Sequence, residues 1–183
     1  MARFGMVIDT ARCVGCMDCV LACKTENRVP EGFCRDWIET EVHGQFPTVQ
    51  LEIRSERCNH CDDPPCVSCC PTGASHVETF GRTVQVTKEM CIGCKACLAS
   101  CPYDARFIHP EGYADKCTFC LPRVKDGLLP ACVSVCPTHC MHFGDLDDPH
   151  SDPSRLLASR AHHVLHPDAG TGPRVFFLTG ARS

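Results

Sequence analysis

The chain has 183 residues, a formal net charge of −4 and 19 cysteines, and cysteine at about one residue in ten is itself a structural signal. No apolar run approaches the roughly 18 residues of a membrane helix, the nearest candidate being Val175-Phe-Phe-Leu178. Scattered basic residues leave no footprint for nucleic acid, and Met1 to Asp9 lacks the basic segment, apolar stretch and cleavage site of an export signal, so none is expected.

In chain order, Arg3 to Ile8 reads as a strand entering a first cysteine group, Cys13, Cys16, Cys19 and Cys23, with Val20 to Thr25 as a short helical turn. Trp37 to Val42 and Thr48 to Arg54 alternate as a hairpin joined through Gly44 and Pro47. A second group, Cys58, Cys61, Cys66 and Cys70, precedes Pro71; Val84 to Val86 is a strand leading to a third, Cys91, Cys94, Cys97 and Cys101, with Leu98 to Ser100 as a helical turn. The fourth group is Cys117, Cys120, Cys132 and Cys136. A surface helix over Ser154 to Ser159, a loop from Pro167 to Pro173 and a last strand from Arg174 to Leu178 complete the chain.

Disulfides suit small secreted chains with an even cysteine count, and neither condition holds here. The first and third groups read C-x2-C-x2-C-x3-C, the spacing in which three thiolates wrap one cubane and the fourth ligates its neighbour. Tetrahedral zinc takes pairs of ligands from separated knuckles and would leave cysteines over in each run. Gly15 and Gly93 stand where backbone must come close to an inorganic core.

Internal repeats fix the register. Pro65-Cys-Val-Ser-Cys-Cys-Pro-Thr72 aligns without a gap on Ala131-Cys-Val-Ser-Val-Cys-Pro-Thr138, which makes Cys70 the counterpart of Cys136 and leaves Cys69 spare; Ile8 to Cys16 superposes on Val86 to Cys94. The fold expected is α+β, with duplicated bacterial ferredoxin-like modules of two 4Fe-4S clusters each, built from short strands, short helices and long cysteine-bearing loops. No long linker divides it, so residues 1–183 are expected to form one four-cluster domain with a C-terminal extension over 151–183.

Cys34, Cys69 and Cys140 lie outside the groups and read as small buried hydrophobes. His60 reads as a solvated or packed ring, and His162 and His163 as surface residues. Lys24, Lys95 and Lys116 adjoin ligand positions and are candidates for tuning clusters, although each reads first as a solvated charge. Asp62, Asp63, Asp147 and Asp148 sit beside prolines and read as surface turns. Sixteen thiolates against about +2 for each oxidised core make loading add about −8 to the charge, and folding is expected to depend on that loading. No nucleotide-binding, nucleophile-elbow or zinc-protease motif is present, and with four protein ligands per cluster no iron is left open for substrate.

With all four groups placed, the sequence resembles the iron-sulfur beta subunit of the dimethyl sulfoxide reductase family of complex molybdoenzymes. The residues that carry the resemblance include Met6-Val-Ile-Asp9, Cys13-Val-Gly-Cys16, Cys58-Asn-His-Cys61, Cys70-Pro-Thr-Gly-Ala74, Cys101-Pro-Tyr-Asp-Ala105 and Lys116-Cys-Thr-Phe-Cys120. The short link from Cys101 to Cys117 is similar to the polysulfide reductase subunit, and Ala169-Gly-Thr-Gly-Pro-Arg-Val175 to the respiratory arsenate reductase subunit. The resemblance implies crossed ligand sets: Cys13, Cys16, Cys19 with Cys136; Cys117, Cys120, Cys132 with Cys23; Cys58, Cys61, Cys66 with Cys101; and Cys91, Cys94, Cys97 with Cys70. It implies an inner module over 58–105, an outer module over 1–30 and 115–150, and four 4Fe-4S clusters in a non-catalytic electron-transfer subunit of an oxidoreductase complex of anaerobic respiration. Its partners would be a molybdopterin (bis-guanine dinucleotide) catalytic subunit and an integral quinone-binding anchor of polysulfide-reductase type. The subunit would lie peripherally on the membrane, on the periplasmic side, with the cytoplasmic side as the alternative. Competing readings are a freestanding soluble polyferredoxin and a zinc-stabilised interaction module, the latter colourless and free of acid-labile sulfide.

Overall fold

The computed structural model describes residues 2–179. Strand β1, Phe4–Asp9, is central in a four-stranded sheet. On one side it pairs antiparallel with β8, Met141–Asp145, and on the other it runs parallel to β10, Val175–Leu178, beyond which lies the two-residue strand β9, His162–His163. Side chains alternate across a strand. Met6 and Ile8 enter a core with Cys19, Val20, Phe119, Val133 and Phe177, while helix α6, Asp152–Ser159, packs against β1 and β8. Ser151 caps α6 by accepting the Ser154 N–H, and Pro153 stands in its first turn. His162 and His163 therefore edge a sheet, and the His163 ring stacks on Phe177 with centroids 5.6 Å apart.

The expected hairpin is present and longer, as β2, Asp36–His43, and β3, Gln50–Arg57, with Asp36 directly opposite Arg57. It covers the first cysteine loop. Gly15 has φ +67°, and a Cβ there would stand 3.3 Å from the Ile53 side chain. Helix α1, Asp18–Asn27, follows this loop and runs two residues past the expected turn at each end.

Strands β4, Ser75–Val77, and β5, Val84–Val86, pair Ser75 with Val86 and Val77 with Val84. In the main sheet Met141 pairs with Ile8 and Phe143 with Met6. These are the counterparts given by the two sequence repeats, so the two ladders share one register. Helix α2, Pro65–Ser68, has its counterpart in α5, Ala131–Ser134, and α3, Ala96–Ala99, matches the first turn of α1. Met17 and Lys95 precede these last helices with φ of 67° and 64°. Strands β6, Phe107–Ile108, and β7, Ala114–Asp115, and helix α4, Leu121–Lys125, were not foreseen; each is too short to show a period.

Arg174 binds the layers together. Its side chain is 1% exposed and donates to the carbonyls of Phe4, His60, Gly81 and Arg82. Arg174→Leu leaves these four acceptors without that donor and should cost about 3 kcal/mol or more. Arg155→Leu, which removes an exposed pair with Asp152, should change stability by under about 1 kcal/mol. Anaerobic urea unfolding of the metal-loaded chain, followed by visible absorbance, distinguishes the two outcomes.

Candidate metal centres

Sulfur atoms from different cysteine groups converge in the fold. Cys91, Cys94 and Cys97 line a cavity with Cys70, Thr72, Ser75 and Arg106. The Cys61 thiol is pushed up to about 11 by burial, with the neighbouring Cys58, Cys66 and Cys101 adding to the effect. Burial raises Cys23 to about 12, helped by Asp36, Cys132 and Cys120, and the Asn27 amide reaches both Cys23 Sγ and Cys120 Sγ, at 3.6 and 3.7 Å. Burial also raises Cys117 far above the usual thiol range, with Cys23 the next contributor. Cys13 is held down to about 6 by its hydrogen bond with Cys140, and Cys140 Sγ lies 3.4 Å from Cys136 Sγ. Cys19 is buried beside Ser55 Oγ at 3.5 Å, whereas Cys16 and Cys94 face solvent at the loop tips.

Such crowding is unfavourable for bare thiolates and is relieved by bound cations, which invert the local charge balance. The surrounding donors fit a sulfur-rich anionic core. Backbone N–H groups of Ser75, Ala114, Phe119 and Cys140 donate to Cys70, Cys91, Cys117 and Cys136 at 3.3 to 3.4 Å. Arg57 Nη1 donates to Cys132 Sγ at 3.1 Å and Arg106 Nη2 to Cys66 Sγ at 2.8 Å. Among the described residues, Arg57 Nε and Arg106 Nε and Nη1 are buried without hydrogen-bond partners. Buried donors are ordinarily satisfied, and inorganic sulfide beside these cysteines would satisfy them.

Several residues stand otherwise than expected. Cys34 is exposed, not buried: it lies in the polar stretch before β2. Lys116 is not solvated; it is 1% exposed and its ammonium donates to the carbonyls of Val84 and Cys117. Lys24 is half-buried and donates to the Phe33 carbonyl, and only Lys95 is freely exposed among the three lysines. Cys140 is buried as expected, and Cys69 is half-buried with Sγ 3.3 Å from Ser100 Oγ. His60 is the packed ring: Nδ1 accepts the Val84 N–H at 3.1 Å, the ring stacks on Phe119 at 3.8 Å, and burial holds its pKa well below the usual range. Asp62, Asp63, Asp147 and Asp148 are on the surface, and Arg3 pairs with Asp62 and Asp147.

Sequence reasoning missed Arg57 and Arg106. Arg57 carried a signal, since it precedes Cys58 as Lys116 precedes Cys117. Arg106 is five positions beyond Cys101, and its contact with Cys66 is made only by folding. Away from the sulfurs, Glu41, His43 and Glu52 converge on the hairpin, where Arg54 Nη1, 2.6 Å from Glu41, supplies the positive charge.

Fold and sulfur sets together define a ferredoxin-type iron-sulfur protein, and residues 49–146 match the family described as the 4Fe-4S dicluster domain. The chain is 45% identical over 177 residues to Protein NrfC of Escherichia coli K12, covering 95% of this chain and 79% of that protein. It is 39% identical over 184 residues to the B subunit of polysulfide reductase from Wolinella succinogenes, covering 98% and 96%. With the arsenate respiratory reductase iron-sulfur subunit ArrB of Shewanella sp. ANA-3 it shares 38% over 225 residues, covering 96% of each. The chain belongs to the iron-sulfur subunits of dimethyl sulfoxide reductase-family enzymes, an electron-transfer class whose relatives serve reductase complexes.

Coordination and exposure make separable predictions about the thiols. Maleimide applied to the anaerobic, metal-loaded protein should label Cys34 and spare Cys16 and Cys94, although all three are exposed. After iron removal, mass spectrometry should find label on Cys16 and Cys94 as well.

Proposed function

We propose that this chain carries four 4Fe-4S clusters and conducts electrons between a membrane quinone-reactive anchor and a molybdopterin catalytic subunit. The convergence of sulfurs from different cysteine groups is the observation that carries this reading. It supports the crossed scheme, in which Cys136 completes the set of Cys13, Cys16 and Cys19, and Cys23 that of Cys117, Cys120 and Cys132. Cys101 completes Cys58, Cys61 and Cys66, and Cys70 completes Cys91, Cys94 and Cys97. The shared ladder register supports descent of the inner and outer modules from one duplicated unit.

When bound, a 4Fe-4S cluster supplies one-electron chemistry without making or breaking a substrate bond. The chain's own part is to fix the thiolates, keep water from most of them, and set the field through backbone N–H groups and buried cations. Among the described residues no helix is long and apolar enough to cross a membrane, which agrees with anchorage through a partner. The comparable identities to polysulfide, arsenate and NrfC relatives leave the terminal acceptor to the catalytic partner. The side proposed is periplasmic.

Anaerobic purification from native membranes should give about 16 iron and 16 sulfide per chain, the content of four cubanes, with a molybdenum protein and an integral membrane subunit attached. A stable monomer without molybdenum would favour a soluble polyferredoxin, and a colourless chain without sulfide would favour zinc. Anaerobic chelation of the iron should abolish the native circular dichroism, because metal binding supplies folding energy here.

A further inference from the structure

The two modules place buried arginines in matching positions but give them different charge environments. Arg57 reaches Cys132 Sγ and, at 3.7 Å, Met141 Sδ. Arg106 reaches Cys66 Sγ and, at 2.9 Å, Ser75 Oγ. Cys132 and Met141 are the repeat counterparts of Cys66 and Ser75, so each guanidinium occupies the same place in its module. They arrive by different routes: Arg57 comes from the end of β3, Arg106 from the loop after the third cysteine group. Arg106 also faces Cys97 and lines the cavity of Cys70, Cys91 and Cys94, which puts it between the two inner sulfur sets. Arg57 stands correspondingly between the outer ones, with Cys19 on one side and Cys117 and Cys132 on the other.

The difference lies in the counter-charge. Asp36, 2% exposed, pairs with Arg57 at 3.1 Å and also accepts from Ser55 Oγ at 2.6 Å. Its negative charge reaches Cys13, Cys19, Cys23 and Cys132. Among the described residues Arg106 takes part in no ion pair with a carboxylate, and two of its nitrogens have no protein partner. Buried Lys116, donating to the Cys117 carbonyl, adds a second cation near Cys58, Cys117 and Cys66. In the weakly screened interior such charges act strongly on an adjacent cluster. A positive charge favours the more negative, reduced state, and a compensated pair has a smaller effect.

Resting on the four-cluster reading above, we propose that Arg106 and Asp36 are opposed potential-setting residues. Arg106 raises the reduction potentials of the two inner clusters, while Asp36 cancels the corresponding effect of Arg57 on the two outer ones. The module supplied with the uncompensated cation then holds the electron more firmly. The step concerned is the gain of one electron by a cluster, 2+ to 1+, taken from the neighbouring cluster, with no proton moved.

The test is an EPR-monitored redox titration of the intact complex, with signals assigned to the modules through Cys66→Ser and Cys132→Ser. Arg106→Gln should shift the inner signals to lower potential and leave the outer ones in place, and Arg106→Lys, which keeps the charge, should restore most of the loss. Asp36→Asn should shift the outer signals to higher potential. The proposal is overturned if Arg106→Gln retains full iron with inner potentials unchanged, or if all four signals move together. Should Arg106→Gln lose iron, Arg106→Lys and Asp36→Asn decide: unmoved outer potentials in fully loaded Asp36→Asn, or inner potentials in fully loaded Arg106→Lys as low as those of an uncharged site assigned by Arg106→Met, overturn it. A wild-type complex without four cluster signals would instead refute the four-cluster reading.

Discussion

The constraint on which this fold depends is the cost of burying thiolates, and of crowding them together, in a low-dielectric interior. Ten of the sixteen cysteines in the four groups are buried, at positions that an ordinary chain of this size would fill with aliphatic side chains. The buried thiols of Cys19, Cys23, Cys61, Cys117 and Cys132 are all pushed upward, chiefly by burial. A bound metal core turns this unfavourable assembly into the organising centre of the molecule. Cysteines accordingly contribute much of both buried clusters of apolar residues, with only short strands and helices between them.

Everything governed by local spacing was legible in the sequence. The cysteine groups, the glycine turns before α1 and α3 and the β2–β3 hairpin follow from motifs only a few residues long; β4 and β8, whose shared register matches the repeats, were not foreseen as strands. What could not be read depends on contacts distant along the chain. The parallel pairing of β10 with β1 joins residues about 170 positions apart, and no local period announces it. Lys116 looks like a solvated lysine because its sequence neighbours are polar, but the fold closes over it. Cys34 is the reverse case: buried cysteine is the ordinary expectation, yet its setting in Glu31-Gly-Phe-Cys-Arg-Asp36 holds too little apolar material to cover it.

The hairpin explains why the two buried arginines, Arg57 and Arg106, have different electrostatic surroundings. Between the first and second cysteine groups the chain has room for β2 and β3; between the third and fourth it has only the short pair β6–β7. Because Asp36 and Arg57 face each other across the first rung of the longer ladder, the hairpin delivers a cation and its counter-ion in one rigid piece. The shorter link lacks the length to do so, and the guanidinium at Cys66 comes from Arg106, with no carboxylate paired to it among the described residues.

Conduction through fixed centres also requires that their separations not fluctuate, and the chain ends serve this requirement. Arg174, just before β10, donates to carbonyls before β5 and beside the second cysteine group as well as to Phe4 in β1. Its backbone N–H in turn donates to Asn59 O, and Gly172 and Thr171 accept from Asp62 and Asp63. The segment after α6 thus ties β1 to the loop of the second cysteine group. β1 could not drift from the second cysteine group without breaking the buried hydrogen bonds of Arg174, so the segment leading into the C-terminal strand holds their spacing.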